Sequence, residues 1–260
     1  MACQGEGRVT LSRREFLTGT RRDPGRAAAP LDILILGGTG FTGPEQVEYA
    51  TARGHRVTLF NRNRTRPDAF KGRVEQLIGD LNGDVSALKG KSFDVVIDNP
   101  TTLPGWVRNA AQHLKGHTKH YMFISTESVY AGNATPNADE SDPVLPLPAG
   151  LDPFAVKAED ARRTYGPLKA EAEREVERQY PGINTIIRPG LIVGPLDKSD
   201  RFTYWPVRID KGGEVLAPGT PNDPAQNRKT TMAADTIGIA SVMSAANRDV
   251  TSAVSGSTLL

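Results

Sequence analysis

From Leu31 onward the chain alternates short apolar runs with helical stretches. The apolar runs are Ile33–Leu36, Arg56–Phe60, Val74–Ile78, Phe93–Ile97, Tyr121–Ile124 and Thr185–Ile187. Between them, helical patterns cover Glu45–Ala52, a short piece near Val85–Leu88, Trp106–Leu114 and Leu168–Gln179. This alternation predicts a parallel sheet with helices on both faces. The last helix places Leu168, Ala172, Val176 and Tyr180 on one face, with Glu and Arg elsewhere. That stripe reads as core packing, with a partner helix as the alternative use. Between Ala131 and Ala158 lies a loop rich in Pro, Asn and Asp, of the kind that is functional or mobile in compact domains. Beyond Pro189 the regularity fades: Glu214-Val215-Leu216 reads as a strand, Thr236–Ala246 as one short helix and Pro218–Lys229 as an exposed polar run.

Composition narrows the class. With 260 residues, 38% hydrophobic and 24% charged, the chain suits one globular α/β domain or a domain with a small appendage. A net charge of +2 makes no global case for a nucleic-acid or membrane partner. The single cysteine, Cys3, rules out an internal disulfide, and no stretch is long and apolar enough to span a bilayer. The first thirty residues stand apart. Leu11-Ser12-Arg13-Arg14-Glu15-Phe16-Leu17 looks like a twin-arginine export signal, and Ala27-Ala28-Ala29 like a small-residue cleavage site. Between them, however, stands Gly19-Thr20-Arg21-Arg22-Asp23-Pro24-Gly25-Arg26, too charged to enter a membrane as an apolar helix. Two readings stay open: a disordered basic tail on a cytoplasmic protein, or an export signal to the periplasm.

Chemistry enters at Gly37-Gly38-Thr39-Gly40-Phe41-Thr42-Gly43, between the first strand and the first helix. A strand that breaks into glycines and then opens a helix gives a pyrophosphate a tight turn, close backbone and unpaired helix N–H groups. Phe41 is expected to seat the turn. The second strand runs into Asn61-Arg62-Asn63-Arg64-Thr65-Arg66. An acidic residue there would bind the adenosine ribose hydroxyls and favour NAD. Its absence, with arginines beside it, suits a 2′-phosphate and favours NADP, with NAD as the alternative. Asp80-Leu81 ends the third strand, where an aspartate could meet the adenine or simply make a turn. Downstream, the fifth strand runs into Ser125-Thr126, and Tyr165-Gly166-Pro167-Leu168-Lys169 opens the amphipathic helix. A tyrosine and a lysine four apart share a helix face, so the ammonium is expected to draw the phenol down from a reference pKa of about 10.

These motifs together resemble the short-chain dehydrogenase/reductase superfamily, in its extended NAD-dependent epimerase/dehydratase type. The likeness covers roughly Leu31 to Pro195, including Gly79-Asp80-Leu81, Ile124-Ser125-Thr126-Glu127-Ser128-Val129-Tyr130 and Arg188-Pro189-Gly190-Leu191-Ile192-Val193-Gly194-Pro195. It implies a Rossmann-type doubly wound sheet over 31–190. Before it stands the leader-like segment 1–30, and after it 191–260, a small, minimal or incomplete C-terminal substrate region with a tail. It further implies that Tyr165 is the acid/base, that Lys169 holds the nicotinamide ribose, and that Thr126 binds the reacting oxygen. Gly37, Gly40 and Gly43, with Phe41 and Thr42 between them, would hold the cofactor together with Asn61, Arg62, Asp80, Leu81 and Arg188. A homodimer through Trp106–Leu114 and Leu168–Gln179 is also implied.

The departures limit the reaction. Sugar-nucleotide dehydratases of this type carry Thr-Asp-Glu at the strand end, whereas this chain has Thr126-Glu127-Ser128. The carbon base is therefore missing, and oxidoreduction or epimerisation of a small-molecule carbonyl or secondary alcohol fits better, with a sugar nucleotide among the candidates. The alternative reading is a non-catalytic nucleotide-sensing or RNA-binding protein, since some relatives with a similar turn and Asn-Arg strand end bind RNA in chloroplasts. Arg62, Arg64, Arg66 and Lys71 would form the patch. Against that reading, Thr126, Tyr165 and Lys169 are all retained. His55, His113, His117 and His120 show no metal-site spacing and read as surface or strand-end residues. Trp205 reads as packing under the loop.

Overall fold

The computed structural model describes residues 29–131, 140–199 and 203–214, and the backbone of 230–232. The twin-arginine motif, the centre of the Pro- and Asn-rich loop, residues 215–229 and the expected helix Thr236–Ala246 lie outside the described residues.

Six strands form one sheet: β1 (Asp32–Leu36), β2 (Arg56–Asn61), β3 (Glu75–Ile78), β4 (Phe93–Asp98), β5 (Thr118–Ile124) and β6 (Asn184–Ile187). All neighbours pair in parallel, in the order β3-β2-β1-β4-β5-β6. The first strand explains why two faces are needed. Leu34 and Leu36 point into one core, and Ile33 and Ile35 into the other, as the two-residue period of a strand requires. Helix α1 (Gly43–Ala52) covers the second core with Val47 and Ala50. Helices α2 (Pro104–Leu114) and α3 (Tyr165–Gln179) cover the first. The stripe expected to be core is so: Leu168, Ala172, Val176 and Tyr180 are all buried, and Tyr180 stacks on Tyr121 with ring centres 4.1 Å apart.

The register sets the site. Leu36 lies level with Phe60 on one side and Asp98 on the other, and Ile124 lies level with Ile187. Gly37, Asn61, Asn99 and Ser125 therefore leave the sheet along one carboxyl edge. The strand order reverses at β1, which opens the crevice where such sheets bind ligands.

Helix α3 begins at Tyr165, where the sequence reading opened it, with Pro167 in its first turn. Two features differ from that reading. Strand β5 begins at Thr118, and His120 is a buried strand residue bonded to Thr185 Oγ1 at 3.0 Å, not a surface group. The described residues after Pro189 include elements that the pattern did not show. Strand β7 (Leu191–Val193) pairs in parallel with β8 (Thr230–Met232), and a short helix α4 runs over Tyr204–Asp210. Trp205 lies on α4, 40% exposed, rather than under a loop. Glu214 belongs to no strand. The Pro-rich segment is tied down where it is described: Leu147 and Val156 pack on Leu103 and Leu168, and Tyr130 bridges to Val144. No helix among the described residues is long and apolar enough to cross a membrane.

Candidate functional site

The glycine turn closes tightly. Gly37 has φ 75° and donates its N–H to Phe60 O at 2.9 Å, and Gly40 donates back to Gly37 O at 3.1 Å. A Cβ on Gly43 would lie 2.5 Å from backbone atoms of Gly38, a separation real side chains do not adopt. Only hydrogen fits, so helix α1 starts against the turn. No side chain caps that start, which leaves its first amides directed at the crevice. Phe41 and Thr42 are half-buried between the glycines.

The end of β2 is also shaped for a ligand. Asn61 is buried; its Oδ1 accepts from Asn63 N at 2.7 Å, while its buried Nδ2 has no hydrogen-bond partner. A buried donor without an acceptor costs stability, and a ribose or phosphate oxygen is the kind of acceptor it lacks. With the Gly43 cradle, this orphaned amide fits a dinucleotide. The basic loop after it divides. Arg62 and Arg64 are exposed, whereas Arg66 turns inward and donates to Thr39 O at 2.7 Å and Gly40 O at 2.6 Å. At the end of β3, Asp80 Oδ1 accepts from Asn82 N at 2.9 Å and so closes a turn, and Leu81 is a core residue.

Thr126, Tyr165 and Lys169 come together at the neighbouring end of β5. The Thr126 hydroxyl caps the 3-10 turn Glu127–Val129, accepting from Ser128 N at 3.2 Å. Helix α3 reaches it because residue 166 is glycine: a Cβ there would stand 2.1 Å from the Ser128 carbonyl oxygen. Tyr165, 39% exposed, opens α3 beside this turn. One turn on, Lys169 is 2% exposed and donates to Thr101 O at 2.7 Å and Ile124 O at 2.6 Å, with its ammonium 4.2 Å from the Phe123 ring centre. Burial lowers its pKa to about 8 against the opposing pull of Asp98 and Glu173. The unfolded chain holds that proton more tightly. This lysine therefore subtracts from stability below about pH 8, and the deficit closes as pH rises towards the usual lysine range. The Tyr165 phenol differs from expectation. Burial pushes it above its ordinary range, and the opposing influence is the hydrogen bond with Thr126. Lys169 is not among the influences on it; its ammonium is directed to the Thr101 and Ile124 carbonyls.

Arg188 is placed in a buried ion pair. Its guanidinium grips Glu173, with Nη2 to Oε2 at 2.7 Å, and donates to the Tyr130 hydroxyl at 2.8 Å. Ser125 donates to the same carboxylate. Burial, the largest influence on Arg188, opposes its charge, but the bonds to Glu173 and Tyr130 outweigh it and raise the pKa. The sequence reading passed over Asp98, Thr101 and Glu173. Two charged residues in apolar surroundings, at a strand end and inside a helix stripe, were the available signal. A cavity of about 330 Å³ lies beside α2 between Trp106, Arg108, Pro153 and Phe154, and none of Thr126, Tyr165 or Lys169 lines it. Among the described residues no cluster of His, Cys, Asp and Glu could hold a metal ion.

No family model matches the sequence. The chain is 27% identical over 217 residues to the chloroplast stem-loop binding protein of 41 kDa b from Arabidopsis thaliana, covering 75% of this chain and 50% of that one. It thus spans about half the length of the curated relative it matches. Among solved structures it is similar to the Bordetella bronchiseptica enzyme WbmG in complex with NAD and UDP, with TM-score 0.64 and 16% identity, covering 90% of this chain and 73% of that one. It is likewise similar to the UDP-N-acetylglucosamine 4-epimerase from Bacillus cereus, with TM-score 0.61 and 18% identity, covering 88% and 74%. The chain has the fold of the NAD-dependent epimerase/dehydratase enzymes, as the sequence resemblance implied.

Two outcomes follow from this geometry. Replacing Gly166 by Ala forces α3 away from Ser128 and is expected to cost about 1–3 kcal/mol in urea unfolding; an unchanged midpoint would show that the contact relaxes freely. Glu173→Gln leaves Arg188 buried without its counter-charge and is expected to cost about 3–5 kcal/mol, while the pair Glu173→Leu with Arg188→Met recovers most of it. If Arg188 instead serves a cofactor, that double variant loses nucleotide affinity in a fluorescence titration.

Proposed function

We propose that this chain binds a nicotinamide dinucleotide, NADP in preference to NAD, and acts as an oxidoreductase or epimerase on a carbonyl or secondary alcohol. A sugar nucleotide is the favoured substrate class, because structures with this fold are described with UDP or UDP-sugars bound. The observation that carries the reading is the packing of Gly166 on Ser128, which sets Tyr165 beside the Thr126 turn with Lys169 one helical turn behind, on the same carboxyl edge as the glycine turn.

The dinucleotide, when bound, supplies or takes the hydride. Everything else falls to this chain's own residues. Gly37, Gly40 and Gly43 admit the pyrophosphate, and Asn61 Nδ2 gains an acceptor. Arg62 and Arg64, both exposed, would pair with a 2′-phosphate. Lys169 has three N–H donors and spends two on carbonyls, which leaves one for a ribose hydroxyl. Tyr165 is protonated at neutral pH, as a phenol with an ordinary pKa of about 10 is, and burial raises its pKa further. It is therefore ready to give a proton to an oxygen that gains charge as hydride arrives, with Thr126 orienting that oxygen. Ser128 stands where a dehydratase base would be, so water elimination is not part of the proposal. A homodimer through the outer faces of α2 and α3 belongs to the same reading; light scattering that gives only monomer would remove it.

One observation favours a second reading. The Arabidopsis relative is named for stem-loop binding, and Arg62, Arg64 and Lys71 are exposed. As an RNA binder the chain would lose affinity steeply with salt, whereas the retained Thr126, Tyr165 and Lys169 would have no task. Filter binding to a stem-loop RNA across a salt series separates the two.

Tyr165→Phe is expected to lower turnover by about 10²-fold or more while NADPH affinity stays within about twofold. Full turnover in that variant rejects the mechanism. NADPH is expected to bind at least about tenfold more tightly than NADH, a difference of about 1.4 kcal/mol. Equal binding, or preference for NADH, would return the assignment to NAD.

A further inference from the structure

Behind the Tyr165 site lies a charged group that no part of the mechanism above uses. Asp98, the last residue of β4, is fully buried. The Tyr121 hydroxyl donates to its Oδ2 at 2.7 Å, and the Thr101 amide donates to its Oδ1 at 3.3 Å. Thr101 has a second role, since its carbonyl accepts from Lys169 Nζ at 2.7 Å. One residue therefore touches the carboxylate through its N–H and the ammonium through its C=O. The other anchor of Lys169, the Ile124 carbonyl, ends β5, the strand that also carries Tyr121.

A lone ammonium at this depth would shed its proton, because carbonyl dipoles alone replace little of its hydration. Full charges near it come from two elements. Asp98 comes from β4. Glu173 comes from α3, the helix of Lys169 itself, but is already gripped by Arg188 and Ser125. Around Asp98 the titratable neighbours are Tyr121 of β5 and Tyr180 and Lys169 of α3 and its C-terminal end. Both phenols have pKa values raised by burial first and by the carboxylate beside them, and so stay neutral. The Tyr180 hydroxyl is buried with no partner. Burial pushes the Asp98 carboxyl above its ordinary range, and the bonds from Tyr121 and Thr101 and the Lys169 ammonium pull it back; Asp98 thus has one cation to answer, and Lys169 has one carboxylate not paired with another cation.

We propose that Asp98 is a positioning residue: a buried carboxylate, oriented by Tyr121 and the Thr101 amide, that keeps the Lys169 ammonium charged and seated between the Thr101 and Ile124 carbonyls. It deepens the reading of this site as a dinucleotide site. Asp98 does not touch substrate; it acts through Lys169. Without it, Lys169 loses its proton at a lower pH, its bond to Thr101 weakens, and the turn from β4 into α2 comes loose from β5.

The test reads Lys169 directly in the full chain. The lysine ε-methylene signals are followed by heteronuclear NMR across a pH series, with the Lys169 signal assigned by its loss in Lys169→Met. In the native chain this signal is expected to titrate near pH 8. Asp98→Asn keeps an acceptor for Tyr121 but removes the charge, and is expected to move the midpoint down by at least one pH unit, about tenfold in proton affinity. Tyr121→Phe keeps the carboxylate but frees it to take a proton, so the midpoint falls by less; this variant serves if Asp98→Asn fails to fold. An unmoved Lys169 midpoint in the folded variant overturns the proposal. Fluorescence titration of NADPH against the native chain is read alongside. Failure of NADPH to bind there would reject the dinucleotide reading and leave the Asp98–Lys169 result standing on its own readout.

Discussion

An ammonium that is 2% exposed must find oxygens at the positions its protons point to, and this requirement organises the site end of the molecule. Lys169 satisfies it with two main-chain carbonyls, one from the turn after β4 and one from the end of β5. The helix that carries Lys169 is thereby locked to both strands at their carboxyl ends, and Tyr165 follows because it opens the same helix. A charge in an apolar interior is costly unless it is paired and hydrogen-bonded. Its retention here, among Phe123, Ile124 and Leu168, indicates that its position matters more than the stability it forfeits.

A second buried charge cluster works beside the first. Glu173, one helical turn beyond Lys169, gathers Arg188 and Ser125 and so joins α3 to the ends of β5 and β6. Further along, Glu175 on the α2-facing side of α3 is engaged by Arg108 from α2 and by Arg178 and Gln179 from its own helix. Helix α3 therefore presents apolar residues to the sheet and three buried ionic residues to defined partners. Its apolar stripe sets the depth at which it packs. The ionic residues set its rotation and its axial position, which is what placing one phenol against one threonine demands.

The sheet and the motif residues of the site were legible in the sequence, for reasons that vary along the chain. The parallel strands were readable because burial on both faces makes them near-continuous apolar runs. The glycine turn, Thr126, Tyr165 and Lys169 were readable because their spacing follows from the elements that carry them. The direction of Lys169 was not. A four-residue spacing says that Tyr165 and Lys169 share a face, but not whether the ammonium turns towards the phenol or away to Thr101, a contact 68 residues distant in the chain. Arg66 eluded the reading for the same reason: a run of arginines looks solvated until one of them is seen to bond the carbonyls of Thr39 and Gly40. After Pro189, three-residue strands are too short to show a period at all.

The inward turn of Arg66 has a consequence for anyone who would re-engineer this crevice. The loop expected to read the ribose end of a cofactor and the loop expected to hold its phosphates are splinted together by one guanidinium, and the splint rests on a left-handed backbone at Arg66 itself, with φ 49°. Grafting a foreign stretch over 61–66 to exchange one cofactor for another would remove the splint along with the reader. Tighter recognition at one end would then come at the expense of grip at the other. The two loops hold together as one unit, and a successful exchange would change Arg62 and Arg64 while leaving Arg66 in place.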